Sequence, residues 1–262
     1  MKIAVLNFSG NVGKTTIAKH LLQRKMDCEV FSVESINASN LEGSAVTQIT
    51  HKQFSDLQTA LLLNDDLIVD IGSSNVENLL KEISNYSGSQ DDFDFFVIPT
   101  VPKDKQILDS ISTIIYLIDE LNIPKEKIRV VYNFAESANS IDQDFEKIER
   151  VLSTLKIKDS SSFILETDYF SKVDNVRNSH YPEELKQKVA DLDFMASNQD
   201  AIQADLNNLK EKFKSATVED KPAIKEEMLQ LAQIVQLSRL SVGVRDNIDG
   251  AFNTLFPTKK RK

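Results

Sequence analysis

The stretch Ile3-Ala4-Val5-Leu6-Asn7-Phe8-Ser9-Gly10-Asn11-Val12-Gly13-Lys14-Thr15-Thr16 decides how this chain folds. An apolar run of strand type comes first, a glycine-bearing loop follows, and Ile17, Ala18, Leu21 and Leu22 then fall at helical spacing. A strand, a loop and a helix N-terminus in that order make an anion site. The first N–H groups of the helix have no helical partner, and the helix dipole adds partial positive charge. Gly10 and Gly13 permit backbone conformations and close approaches that a Cβ would block. On this reading Ser9, Gly10, Asn11, Val12, Gly13, Lys14, Thr15 and Thr16 hold nucleotide phosphates. Lys14 reaches the β- and γ-phosphates, and the Thr15 hydroxyl ligates Mg²⁺. The phosphate-loop pattern G-x-x-x-x-G-K-[ST] asks for a glycine where Phe8 stands, so the setting after a strand carries the reading as much as the motif does.

Further candidates lie at the ends of later apolar runs. Leu67-Ile68-Val69-Asp70 reads as a strand ending in an acid, which at the carboxyl edge of a sheet would sit near Thr15 and hold Mg²⁺ through a bound water. Gly72 follows, with an N–H that could meet a γ-phosphate. Val130-Val131-Tyr132-Asn133 ends in a carboxamide able to donate and accept at an adenine edge. Glu34, ending the run Val30–Val33, is a candidate beside the metal or the attacking water, or a surface acid. Pro99 and Pro102 are expected to shape a loop over the nucleotide. His20, His51 and His180 show no metal-binding spacing, and Cys28 is the single cysteine, which fits a reducing cytoplasm.

Apolar runs at Ile3–Leu6, Val30–Val33, Leu67–Val69, Phe93–Ile98, Arg129–Tyr132 and Phe163–Leu165 alternate with helical patterns at Thr15–Lys25, Val76–Tyr86, Lys105–Leu121 and Ile141–Leu155. Strands and helices in alternation predict an α/β fold with a mostly parallel sheet flanked by helices. From about residue 183 only helical spacing remains: Ile202, Leu206, Leu209 and Phe213, then Ile224, Met228, Leu231 and Val235. Between these stripes Asp220-Lys221-Pro222 reads as a helix start with Asp220 as N-cap. The division expected is a phosphate-loop domain over 1–182 and a helical C-terminal extension over 183–262, built on an αα-hairpin.

The net charge of −9 is unevenly spread. Residues 201–262 hold 11 Lys/Arg against 8 Asp/Glu, and the chain ends Lys259-Lys260-Arg261-Lys262. An acidic body with a basic end points to a polyanionic partner, or to no more than a solvated terminus. Ile248, Phe252, Leu255 and Phe256 form a short apolar stripe before that tail. Three readings stand: a helix packed on the body, a DNA-facing surface with Arg239 and Arg245, or, less favoured, an anionic membrane surface.

Together Phe8 to Thr16, Asp70, Pro99 and Asn133 resemble the ParA/MinD family of deviant-Walker-A ATPases, and within it Lys2 to Thr15 look most like StbB-type plasmid stabilisation proteins. The resemblance spans residues 1 to about 175. It implies ATP and Mg²⁺ as cofactors, ATP-dependent homodimerisation, slow hydrolysis, and a role in plasmid DNA partition, positioning or conjugative transfer in a bacterial cytoplasm, with a DNA-binding adaptor as partner. It further implies that Thr16 meets the α-phosphate and Asn133 the adenine. Two departures stand out. Ser9 occupies the place of the family's signature lysine, and Ile36 that of a second acid after Glu34. Both make ATP binding a firmer expectation than turnover. Val12-Gly13-Lys14-Thr15 also resembles the loop of dethiobiotin synthetases, a metabolic-ligase alternative. A nucleotide-binding scaffold without useful hydrolysis is the third.

Overall fold

A computed structural model describes residues 1–33, 46–49 (backbone), 54–157 and 161–257. Seven strands form one sheet in the order β3-β2-β4-β1-β5-β6-β7, parallel throughout. They are β1 (Lys2–Val5), β2 (Val30–Val33), β3 (Val46–Ile49), β4 (Leu67–Ile71), β5 (Phe95–Thr100), β6 (Ile128–Ala135) and β7 (Ser161–Leu165). The α/β class expected from alternating apolar and helical runs is the class observed. All five residues of β4 and all four of β2 are buried. That burial explains their lack of polar–apolar alternation, because a central parallel strand is covered on both faces.

β1 sits where the strand order changes direction. The chain moves from β1 outward to β2 and β3, returns through β4, then continues on the other side of β1 through β5, β6 and β7. Crevices at such switch points, beyond the carboxyl ends of the strands, are where open α/β sheets bind ligands. Val5 pairs with Asp70, so the loop leaving β1 starts level with the acid near the end of β4. The helix Asp104–Asp119 buries Ile107, Ile114 and Leu117. Elements that went unforeseen are the edge strand β3 and the helices Phe54–Leu63 and Tyr169–Arg177.

The chain divides into two compact units, Met1–Glu166 with Ile248–Lys262, and Thr167–Asn247. The helix Tyr169–Arg177 goes with the later helices. The last turns of the long helix Lys221–Leu255 go with the first unit. The second unit is all helical. In it the helices Gln199–Ser215 and Lys221–Leu255 are tied by Arg239, which donates to Gln203 at 2.9 Å. Asp220, read as an N-cap, directly precedes the helix that starts at Lys221, and its carboxylate accepts from the Thr217 hydroxyl at 2.7 Å.

Within the first unit, Ile248, Leu255 and Phe256 are buried. Phe256 meets Phe95 at 5.1 Å between ring centroids, and Arg129 donates to the Leu255 carbonyl at 2.8 Å. Asp249 bridges Arg24 and, at 2.8 Å, Lys25, in the last turn of the helix that follows the phosphate loop. The terminal apolar stripe is thus a packed helix, the first of the three readings. Lys259–Lys262 lie outside the described residues, and no described helix is long and apolar enough to cross a membrane.

Candidate functional site

The loop between β1 and the first helix is held from behind by a polar clamp. Asn7 is fully buried, its Nδ2 donating to the Pro99 carbonyl and the Ser110 hydroxyl, both at 2.7 Å, while its Oδ1 accepts from the Ser9 N–H at 2.7 Å. The Phe8 N–H donates to the Thr113 hydroxyl at 3.2 Å. A buried carboxamide with all these contacts fixes the loop's path, because leaving any of its polar atoms unmet in the core would be costly. Sequence reading assigned Asn7 no role; its only signal was a polar residue directly after an apolar strand. Pro99, expected in a loop, is instead buried inside β5 and serves through its carbonyl.

Gly13 has φ +84°, the left-handed region, and a Cβ there would lie 2.1 Å from Asn133 Nδ2. Both conformation and space demand glycine. Asn11 also takes a left-handed backbone, φ 57°, as short polar residues do. Gly10 has ordinary room for a Cβ, 3.5 Å from Ser73 Oγ. From Gly13 the helix runs through Lys14–Thr16, continues as a π-helical stretch over Ile17–Gln23 and ends with Arg24–Met26. No side chain caps its first turn. The free N–H groups of that turn are the donors an anion would use.

Lys14 is only 8% exposed, and its ammonium donates to the carbonyls of Ser9 at 2.7 Å and Asn7 at 3.3 Å. Burial pushes its pKa down from 10.5 to about 8, against a smaller opposing pull from Asp70. The Thr15 hydroxyl donates to Asp70 Oδ2 at 2.7 Å, so the pair expected to serve a metal does meet. Asp70 is buried at the end of β4. Among the described residues no cluster of three His, Cys, Asp or Glu side chains could cage a metal alone. A hydroxyl and one carboxylate are the hard-oxygen set that suits Mg²⁺, which keeps waters and takes the rest of its shell from phosphates.

Asn133 is brought to the loop, with its Nδ2 donating to the Val12 carbonyl at 3.0 Å. One of its amide hydrogens is therefore committed to the loop rather than turned outward. The Gly72 N–H, expected to face a γ-phosphate, is bonded to the Val33 carbonyl at 3.0 Å, because β2 runs beside β4 and extends its ladder. Ser9 is buried, at 5% exposure. Glu34 and Ile36 lie outside the described residues.

No protein-family model matches the sequence, and no curated protein matches it. Solved structures of similar fold include a MinD cell division protein from Aquifex aeolicus, 16% identical, with 72% of this chain and 92% of that one covered and a TM-score of 0.43. They also include McdA from Cyanothece in complex with ATP, at 14% identity, 66% and 85% coverage and a TM-score of 0.41. A plasmid partition protein from Borrelia burgdorferi bound to AMPPNP gives 15%, 70%, 91% and 0.40.

Proposed function

We propose that the first unit binds ATP with Mg²⁺ at the loop Ser9–Thr16 and that the bound nucleotide governs association with a second copy and with partners, in the manner of a ParA/MinD-type ATPase. The observation that carries this reading is a buried ammonium, Lys14, held by loop carbonyls beside the Thr15–Asp70 pair at the switch point of a parallel sheet. A lysine kept in so poor a solvent gains most when a polyphosphate replaces those carbonyls. Thr15 and Asp70 would hold the Mg²⁺, which would neutralise developing phosphate charge. Thr16 takes the α-phosphate.

The finer role is proposed on the sequence resemblance: a bacterial cytoplasmic protein of plasmid DNA partition, positioning or transfer, acting with a DNA-binding adaptor. Turnover is slow in this reading, because Ser9 supplies neither charge nor reach across a dimer and Ile36 replaces an acid. The burial of Ser9 also favours the second reading, a nucleotide-binding scaffold without useful hydrolysis. Measuring mass in solution with ADP, with ATP–Mg²⁺ and without nucleotide tests both. Dimers formed only with ATP–Mg²⁺ support the switch. One mass in all three states, with ATP bound, leaves the scaffold; no ATP binding refutes the site. For the DNA role, removing Lys259–Lys262 should weaken DNA binding and flatten its salt slope, and an unchanged isotherm would rule the tail out.

A further inference from the structure

Phe134 is the one phenylalanine among the described residues that is exposed, at 39%. It sits between two buried residues, Asn133 and Ala135. Its φ is +56°, a region that a bulky side chain rarely occupies, and the pairing of β6 with β7 breaks register between Tyr132 and Ala135. A bulge of this kind re-aims side chains, and strained backbone next to a binding loop persists only where the surroundings hold it. Here the effect is specific. In a regular strand Asn133 and Phe134 would point to opposite faces. Instead Asn133 reaches Val12, and the tip of the Phe134 ring lies 3.9 Å from where a Cβ on Gly13 would be. Both side chains converge on one end of the phosphate loop, and the absent Cβ is what admits Asn133 there.

We infer that Phe134 is the stacking platform for the purine base of the nucleotide, positioned by the bulge beside Asn133. This rests on the reading of Ser9–Thr16 as a nucleotide loop. A base tethered to phosphates on that loop meets at this rim a carboxamide anchored to the loop and an exposed aromatic face. An aromatic ring recognises any flat π-surface, so the platform adds affinity for a base and none for phosphate.

The test uses the full chain and two probes, ATP and inorganic tripolyphosphate, by titration calorimetry. Phe134→Ala should weaken ATP by roughly 5- to 100-fold and leave tripolyphosphate unchanged, while Phe134→Tyr keeps ATP affinity. Phe134→Gly, which removes the left-handed strain, should be no less stable than the parent yet bind ATP as weakly as the alanine variant. The chain has no tryptophan, so Phe134→Trp supplies a single emitter that ATP should quench and tripolyphosphate should not. Equal effects of Phe134→Ala on both probes, or none on either, overturn the platform. A parent protein that binds tripolyphosphate as tightly as ATP overturns it while leaving the phosphate loop standing. Binding of neither probe removes both.

Discussion

Titrating Lys14 tests the phosphate loop in a way that deleting it does not. Its pKa near 8 reflects burial against two carbonyls, with Asp70 opposing the shift. A polyphosphate beside the ammonium favours the charged form, so ATP binding and protonation of Lys14 are linked. The apparent affinity then follows the charged fraction, about nine-tenths at pH 7, about half at pH 8 and about one-tenth at pH 9. ATP affinity should therefore fall roughly tenfold between pH 7 and pH 9. Calorimetry in two buffers of different ionisation enthalpy should register nearly one proton taken up per ATP at pH 9 and almost none at pH 7. Folding responds with the opposite sign. Between about pH 8 and 10.5 the unfolded lysine keeps its proton while the native one loses it, so native stability rises with pH by about 3 kcal/mol in all. Below pH 8 both states are protonated and the penalty is constant. In Lys14→Met both effects should vanish, so the difference between parent and variant isolates this group from other titrations. An ATP affinity that stays level from pH 7 to pH 9 would refute the reasoning.

Three further outcomes follow from the geometry. Gly13→Ala should lose at least about 3 kcal/mol in urea unfolding, because a Cβ must both displace Asn133 and tolerate a left-handed backbone; a loss under about 1 kcal/mol would contradict the approach of Asn133. Asn7→Ala should cost about 2–4 kcal/mol and weaken ATP binding with it, since two donors and one acceptor of the clamp disappear; normal stability would show the loop to be held by other means. Asp249→Asn should cost about 1 kcal/mol at neutral pH, a modest figure because the pair is partly solvated. Burial opposes the Asp249 charge, but hydrogen bonds from Lys25 and Arg24 hold its pKa below the ordinary 3.8. Its contribution is therefore present above that value and lost as pH falls through the lower native one, so parent and variant should converge in strong acid.

The parts of the site that are local in sequence were legible there. Gly13, Lys14 and Thr15 announce a phosphate loop by type and spacing, and Asp70 announces itself by ending an apolar run, because parallel strands place such ends on one edge. What depended on distant partners was not legible. Asn7 reads as a strand end until Pro99 and Ser110 come to it. The Gly72 N–H looked available because the neighbour of β4 could not be named from sequence; it turned out to be β2. Phe54, Leu57 and Leu61 do carry a buried helical stripe, but the exposed Leu62 and Leu63 blur it into a plain apolar run. The stripe of Ile248, Leu255 and Phe256 was visible, whereas its target, Phe95, was not.

The polar clamp has a consequence for how the molecule comes into being. Three of its four contacts join residues 92, 103 and 105 positions apart in the chain. Such links close late, since the entropy of long loops must be overcome before they form. A nascent chain that has reached residue 100 already contains every residue of the glycine-lysine-threonine motif, yet it lacks Ser110 and Thr113. The motif is thus translated early and matured late, and a nucleotide can select only chains in which β5 and the helix after it have already docked.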